Sequence, residues 1–373
     1  MGLERSKIEL VAWLVEHHLV MSDYAQKRDV SDPRTVGDFA KIVQSPERLR
    51  LLLVLTTADI RAVGPGVWNG WKGQLMRELY MATEAVFRGG RGSDAAAALK
   101  RYYENAAYDA RVQVAKADPT AEPWADAMED AYLSAFAPLE VVTHARLAKR
   151  ATGSDGAAAE ARIDAARNAS EVVVAAADRP RLFADLAAAI TAAGANVLGA
   201  RVFTSRSGQA LDVFYVQDAT GYPFGADTDK ALDRLARSLE AAARGEPQKR
   251  EARKAGDLGR AAAFAITPTV TLDNEASEFA TVVEASGRDR PGLLADLAKA
   301  ISEAGLSIAS AHIDSYGERA VDAFYVADRE GRKLTETRSK SSLKSALEAA
   351  LVDESDTQGR RANLQRARAS VAR

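Results

Sequence analysis

Apolar residues recur at helical spacing in two separate parts of the chain, and similar elements surround them each time. A short β-rich run precedes each series, a glycine follows it, and two further β-rich runs come next. Residues three or four positions apart share one face of a helix, so each series predicts an amphipathic helix between strands. The two series are Leu182, Leu186 and Ile190, and Leu293, Leu297 and Ile301.

The two parts are copies of one another. Asp178-Arg179-Pro180 matches Asp289-Arg290-Pro291 at an offset of 289 − 178 = 111, and residues 211–216 match residues 321–326 at 110. A second helical run closes each copy. This order predicts helices on one face of an antiparallel sheet, with the other face free to pair. Residues 264–273 are predicted to add a last strand to the first copy, whereas the second copy has no clear last strand.

The Asp-Arg-Pro corner before each predicted helix suggests a ligand site. Aspartate is a good N-cap and proline suits a first helical turn, so the corner has a purely structural interpretation as well. Free backbone N–H groups at a helix start suit a carboxylate, and Asp289 could accept an ammonium group. The first copy has Arg181 where the second has Gly292, so the second is the better candidate. Its predicted ligand residues are Asp289, Arg290, Pro291, Gly292, Leu293 and Leu294.

Composition narrows the choice of function only slightly. The net charge of −2 gives no reason to expect nucleic acid or an anionic membrane as a partner. The chain has no cysteine, which excludes disulfides, thiolate nucleophiles and cysteine metal sites. The polar first residues lack the apolar core of a signal peptide, and no apolar run reaches about 18 residues. We therefore expect a cytoplasmic protein without a membrane partner.

The first 150 residues are predicted to be helical. Helices are expected at residues 93–116 and 123–149, and residues 153–162 are interpreted as a polar linker. Large aromatic residues bury much area, so Trp13, Trp68, Trp71 and Tyr80 are predicted core anchors. His144 is predicted to lie in a polar context without a partner, and His312 on a strand surface.

Several strings resemble known families. DRPGLLADLAKAISEAGLSIASAHI followed by AVDAFYVAD resembles an ACT domain, a small-molecule sensing module. Two such copies joined by FAITPTVTLDNEAS resemble the end of the bifunctional uridylyltransferase/uridylyl-removing enzymes of the nitrogen-signalling protein PII. LVAWLVEHHLVMSDYAQKRDVSDP and LLLVLTTADIRAVGPGVWNGWKGQLMRELY resemble the later part of that family's HD phosphohydrolase domain. The resemblance implies an α+β fold, with an all-helical, partly HD-like region followed by two ferredoxin-like βαββαβ ACT domains.

The resemblance also implies partners and site residues. It implies glutamine as the effector of the ACT pair and PII as the protein partner. One of His17 and His18, together with Asp59, would occupy ligand positions for Mg²⁺ or Mn²⁺, which activates water for phosphodiester hydrolysis in HD domains. By residue type alone, a histidine pair on a helix is more often structural or solvated.

The chain departs from the family pattern at both catalytic domains. The nucleotidyltransferase signature is a Gly-Ser turn with an Asp-x-Asp pair, but Gly153-Ser154 is followed by Asp164 and Ala166. None of the four histidines precedes an aspartate, so the His-Asp dyad is missing. We therefore expect the C-terminal half of a family protein without either activity. Two alternatives stay open: a stand-alone ACT regulator without catalysis, and a phosphodiesterase that completes its site from another chain.

The expected domain boundaries follow from these assignments. They are a partial HD domain at 1–88, a helical extension and linker at 89–168, a first ACT domain at 169–275, a second at 276–353 and a basic tail at 354–373. The tail is interpreted as a solvated terminus, with an acidic partner as the alternative.

Overall fold

The computed structural model of the chain describes residues 4–64, 68–89, 95–153, 156–246, 266–316 and 318–352. The predicted basic tail lies outside the described residues. The N-terminal region is helical, as predicted, with a 3-10 turn at Pro119–Ala121. Its helices are α1 (Arg5–His17), α2 (Val20–Lys27), α3 (Pro33–Val43), α4 (Pro46–Val63), α5 (Gly70–Arg88), α6 (Ala95–Ala117), α7 (Glu122–Ala127), α8 (Asp130–Ala135) and α9 (Pro138–Gly153).

Local sequence signals explain several of the helix starts. Asp32 accepts a hydrogen bond from the Arg34 amide and Ser45 from the Arg48 amide, and a proline follows each capping residue. The single helix predicted at 123–149 is wrong. Extended backbone at Met128 and Phe136 divides that stretch into α7, α8 and α9. Along the described ranges, no helix combines the length and apolarity needed to cross a bilayer.

The rest of the described chain forms one eight-stranded antiparallel sheet, in the order β1-β2-β4-β3-β7-β8-β6-β5. Four helices accompany it: α10 (Leu182–Ala193), α11 (Asp229–Ala243), α12 (Leu293–Glu303) and α13 (Thr337–Leu351). The predicted α+β fold class is confirmed. The strands are β1 (Ala157–Asp164), β2 (Ala169–Ala177), β3 (Asn196–Thr204), β4 (Gln209–Gln217), β5 (Thr269–Asp273), β6 (Thr281–Arg288), β7 (Ser307–Tyr316) and β8 (Arg319–Ala327).

The outer strand of each copy comes from the segment before it, not after it. The predicted linker at 153–162 is wrong, because most of it forms β1, which pairs with β2 along its whole length. The assignment of residues 264–273 to the first copy is wrong as well, because β5 pairs with β6 of the second copy. The two errors have different causes. The polar, Ala-rich sequence of residues 153–162 does not indicate a strand, whereas residues 264–273 show a strand but not which neighbour it pairs with.

The two copies join edge to edge through β3 and β7. Ala200 lies opposite Ala311, and the flanking pairs are Gly199 with His312 and Arg201 with Ser310. Since 311 − 200 = 111, the paired alanines occupy the same position of the repeat. At the same offset Gly199 corresponds to Ser310 and Arg201 to His312, so the two flanking pairs are equivalent to each other. The junction is therefore an approximate two-fold axis, and α10 packs against α12 across it.

Each face of the sheet carries its own apolar core. On one face α10 to α13 cover Val172, Val174, Phe214, Val283 and Phe324. The other face was predicted to be free to pair, and this is wrong, since the N-terminal helices cover it. Trp71, a confirmed core anchor, packs on Tyr215 with ring centroids 4.5 Å apart. Trp13, Trp68 and Tyr80 are half-buried against the same core.

Polar contacts join the helical region to both copies. Arg201 on β3 donates to Glu78 of α5 at 2.6 Å. Ser310 on β7 donates to the carboxylate of Asp29 at 2.6 Å, and the Asp29 amide donates to the hydroxyl of Tyr325 at 2.7 Å. Hydrogen bonds that involve a charged group are stronger than neutral ones, so these contacts fix the sheet against the helices on both sides of the two-fold junction.

The close contact between Gly199 of β3 and Trp71 of α5 gives a stability prediction. A β-carbon added at Gly199 would lie 2.5 Å from the indole of Trp71, whose ring is buried and cannot move aside. We expect Gly199→Ala to lower the free energy of unfolding by about 1 to 3 kcal/mol through overpacking. Chemical denaturation followed by tryptophan fluorescence measures this loss.

The matched control is Gly153→Ala, at the end of α9, where an added β-carbon meets nothing within 4 Å. Alanine is the better helix former, so this variant should be as stable as the wild type or slightly more stable. Equal stability of both alanine variants would contradict the packing argument.

Candidate functional site

The two repeated corners have a geometry that the sequence did not suggest. Aspartate was predicted as N-cap, but the helices begin four residues later, after Arg181 and Gly292. Both residues are left-handed, with φ of 70° and 85°. No side chain caps either helix start. Among the described hydrogen bonds, the amides of Phe183 and Ala184 at the start of α10 have no acceptor, which leaves two N–H groups for an anion.

The corner arginines hold the fold together. Arg179 donates to the carbonyl of Ala242 at 2.7 Å and pairs with Asp185 at 2.8 Å. Arg290 repeats this arrangement in the second copy, with Ala350 at 2.9 Å and Asp296 at 2.6 Å. Each guanidinium thus satisfies a carbonyl at the end of the copy's last helix. The structure commits Arg290, one of the predicted ligand residues, to these contacts.

A cavity of about 380 Å³ lies at the junction of the two copies. The first copy lines it with the corner at 178–184, with Val202 and Thr204 of β3, and with Asp212 of β4. The second copy lines it with the end of α12, with residues 305–308 and with Arg329. Small-molecule sites usually measure about 300 to 1,000 Å³, so the volume suits a small metabolite. The cavity adjoins the corner of the first copy, whereas the predicted ligand residues form the corresponding corner of the second.

An aspartate of this cavity was missed by the sequence reasoning. Asp212 is 1% exposed, and neither of its carboxylate oxygens has a hydrogen-bond partner in the described structure. The repeat-related Asp322 is 2% exposed, and its Oδ1 is likewise without a partner. The signal was present: both copies place an aspartate inside an otherwise apolar strand, LDVFYV and VDAFYV.

Burial changes the acidity of these carboxyl groups. Burial and, to a smaller extent, the nearby carboxylate of Asp178 together raise the pKa of Asp212 to about 8. The pKa of Asp322 is raised well above its ordinary range for the same reason, with Asp289 and Asp314 adding to it. An unpaired carboxylate in an apolar environment is costly, so each group favours its neutral form until a cation approaches.

The predicted metal residues do not assemble into a site. Nδ1 of His17 lies 3.0 Å from the carbonyl of Trp13, and Nδ1 of His18 lies 2.8 Å from the carbonyl of Val15. Asp59 is exposed on α4. Across the described ranges, no three His, Asp or Glu side chains are grouped so that they could hold a metal ion. Because a defined site needs several ligands, these residues do not fit a hydrolytic metal by themselves.

Of the other two histidines, His144 is buried and His312 is half-buried. The prediction that His144 has no partner is wrong, since its Nδ1 lies 3.0 Å from the buried hydroxyl of Tyr132, and burial lowers its pKa to about 4. His312 does not lie on a free strand surface. Its ring lies 6.0 Å from that of Tyr325, and its buried Nε2 has no partner among the described residues. Both belong to the interface between the sheet and the helices.

Comparisons with known proteins agree with this architecture. The ACT domain family model matches residues 281–338, which cover most of the second copy. A bifunctional uridylyltransferase/uridylyl-removing enzyme of Phenylobacterium zucineum is 80% identical over 375 residues, which cover 100% of the chain and 40% of that protein. The enzyme of the same name from Caulobacter vibrioides is 64% identical over 374 residues, again with 100% and 40% covered. The chain matches the C-terminal part of the enzymes of this family.

More distant members of the family show the same relation. The Azospirillum brasilense enzyme is 43% identical over 359 residues, which cover 95% of the chain and 38% of that protein. The chain thus spans about 40% of the length of the relatives it matches. The helical region is included in these matches, so the family resemblance of residues 1–150 does not depend on the ACT copies.

The buried carboxyl group gives a prediction about pH. An unfolded aspartate has a pKa near about 3.9, whereas that of Asp212 is about 8 in the folded chain. The folded state therefore binds an additional proton between about pH 4 and pH 8, and stability falls as pH rises through this window. Asp212→Asn should remove this contribution and exceed the wild type in stability above pH 8 by on the order of 1 to 3 kcal/mol.

Thermal and urea unfolding at pH 5 and pH 8.5 measure the effect. Asp233→Asn, which neutralises an exposed carboxylate on α11, is the control and should follow the wild type at both values. An identical pH dependence for Asp212→Asn and the wild type would show that Asp212 is not protonated on folding.

Proposed function

We propose that the two ACT copies form an amino-acid sensor, with glutamine as its effector, in a protein that controls the uridylylation of PII. The observation that carries the proposal is the cavity at the two-fold junction, which both copies line. The names of the relatives support the second half of the proposal, since they describe enzymes that transfer and remove uridylyl groups. The proposal assigns no catalytic step to His17, His18 or Asp59, and Mg²⁺ or Mn²⁺ chemistry would need further ligands.

The cavity offers complementary groups to an amino acid. The free amides at the start of α10 and the positive end of the helix suit the α-carboxylate. Arg181 and Arg329 add positive charge to the lining. Thr204, Ser302 and Ser307 supply hydroxyl groups that could bond the side-chain amide of glutamine. A ligand held there touches both copies at once.

The strands of the junction connect the cavity to the helical region. Successive side chains of a strand point to opposite faces of the sheet. On β3, Val202 and Thr204 line the cavity, whereas Arg201 bonds Glu78 on the opposite face. On β7, a register shift between Ile308 and Ser310 reverses the alternation, so Ile308 lines the cavity while Ser310 bonds Asp29 on the opposite face. A ligand that favours one arrangement of β3 and β7 therefore acts on their contacts with Glu78 of α5 and with Asp29, which follows α2. Such a link between the ligand and a distant contact is the requirement for allosteric control.

Calorimetric titration of glutamine into the purified chain tests the sensor. Arg181→Asp and Gly292→Asp each place a carboxylate at one of the two corners and should repel the α-carboxylate of the ligand. If the cavity is the sensor, Arg181→Asp loses binding by about tenfold or more and Gly292→Asp keeps it. The reverse result would put the sensor at Asp289–Leu294, as the sequence predicts.

Gly156→Asp is the matched control for the backbone. Gly156 has φ of 88°, as close to left-handed as Gly292, and an added side chain meets nothing within 4 Å at either position. This variant should bind glutamine like the wild type. Absence of binding by the wild type to any amino acid would contradict the sensor proposal as a whole.

A stand-alone ACT regulator with another effector is the second candidate. This candidate predicts saturable binding of an amino acid other than glutamine. It also predicts that this ligand does not change the affinity of the chain for PII. For the first candidate, glutamine should change the affinity of the chain for PII by about 5- to 150-fold, the usual range of allosteric coupling. The dissociation constant of PII from the immobilised chain, measured with and without glutamine, gives this factor.

A further inference from the structure

Asp212 is the most unusual polar group that lines the cavity. Strand pairing places it opposite Val174 on one side and Val202 on the other, so it projects into the apolar core under α10 and α11. It is 1% exposed, and both of its oxygens lack a hydrogen-bond partner among the described residues. Buried polar groups are almost always bonded, so an orphaned carboxyl group on a cavity wall indicates a missing partner.

The chain's own cations at this corner are engaged elsewhere. Arg179 pairs with Asp185 and with carbonyls of α11. Arg181 lies 3.8 Å from Asp185 and 3.9 Å from Glu303. Neither forms an ion pair with Asp212. A cationic group from outside the chain would therefore meet a carboxylate that has nothing else to bind.

An anionic group would find its partner in the same cavity. Phe183 and Ala184 line the cavity at the start of α10, and their amides have no acceptor in the described structure. We infer that Asp212 holds the α-ammonium group of the effector, while the amides of Phe183 and Ala184 hold its α-carboxylate. The inference rests on the proposed function and names the groups that recognise the constant part of an amino acid.

Charge recognition of this kind makes the α-ammonium group a requirement for binding. The cost of an ionised, desolvated Asp212 is offset only when a cation lies against it. A ligand with the same side chain and carboxylate but no amino group would leave the carboxyl group unpaired. The cavity therefore selects amino acids over the corresponding deaminated acids.

Binding is also coupled to a proton. The charged residues that line the cavity together with Asp212 are Asp178, Arg179, Arg181 and Arg329, and the carboxylate of Asp178 acts on its pKa. Burial raises the pKa of Asp212 to about 8, so at pH 7 the free chain holds it mostly neutral. An ammonium group requires the carboxylate, and the proton leaves to solvent while the ligand keeps its own. We expect release of nearly one proton per ligand at pH 7 and much less at pH 8.5, where the free chain already holds Asp212 mostly ionised while glutamine is still mostly an ammonium.

The test compares two ligands and three forms of the full chain. Glutamine and 4-carbamoylbutanoate, which lacks only the α-amino group, are titrated by calorimetry into the wild type, Asp212→Asn and Asp233→Asn. The wild type and Asp233→Asn should prefer glutamine by about tenfold to hundredfold, the effect of a charged hydrogen-bonded contact. Asp212→Asn should bind both ligands with similar, weaker affinity. Titration of the wild type in buffers of different ionisation enthalpy counts the released proton.

The outcomes separate the inference from the function on which it rests. If Asp212→Asn keeps the preference for glutamine, or the wild type has none, the inference is overturned while amino-acid sensing stands. If no amino acid binds the wild type, both are overturned. Displacement of glutamine by millimolar sodium or ammonium ions alone would show that Asp212 is an inorganic cation site, which also overturns the inference. The comparison of two ligands on the wild type needs no variant and remains decisive if Asp212→Asn does not fold.

Discussion

The antiparallel pairing of β3 with β7 is the constraint on which the arrangement of the two copies depends. In the described part of the chain, β3 and β7 pair at Gly199–His312, Ala200–Ala311 and Arg201–Ser310. An unpaired edge strand exposes backbone groups that attract another chain, and here each copy satisfies the inner edge of the other. The pairing brings α10 beside α12 and creates the cavity between them. A different junction would leave two folded copies without a shared site.

The same two strands face the helical region. Side chains alternate along β3, and a register shift between Ile308 and Ser310 reverses the alternation on β7, so the residues that flank the two-fold axis face both sides of the sheet. Val202, Thr204 and Ile308 line the cavity, and Arg201 and Ser310 bond the helices on the other side. The sheet is one layer thick at this point, so a change in the cavity lies only a strand away from α2 and α5. No long chain of contacts is needed for a ligand to influence the helical region.

Asp212 and Asp322 are exceptions to the rule that a core excludes unpaired carboxyl groups. Both copies keep the aspartate at matching positions, between apolar residues of β4 and β8. Local rules of this kind tend to be broken at functional sites, where stability is given up for recognition. The corner arginines show the opposite case. Arg290 was predicted to bind the ligand, but its guanidinium group and that of the matching Arg179 satisfy helix ends.

The sequence alone determined the features that depend on local spacing. The apolar series of α10 and α12, the offset of 111, the helical N-terminal region and the family resemblance were all readable from it. Tertiary structure decided the rest: which copy receives β5, which face Trp71 covers, where the cavity lies and that Asp212 has no partner. These features depend on groups far apart in the chain, such as Arg201 and Glu78, separated by 123 positions, or Asp29 and Ser310, separated by 281. The spacing of apolar residues along the sequence shows which face of a helix or strand is buried. Which other element packs on that face or pairs with that edge is decided only in the folded chain, where distant elements meet.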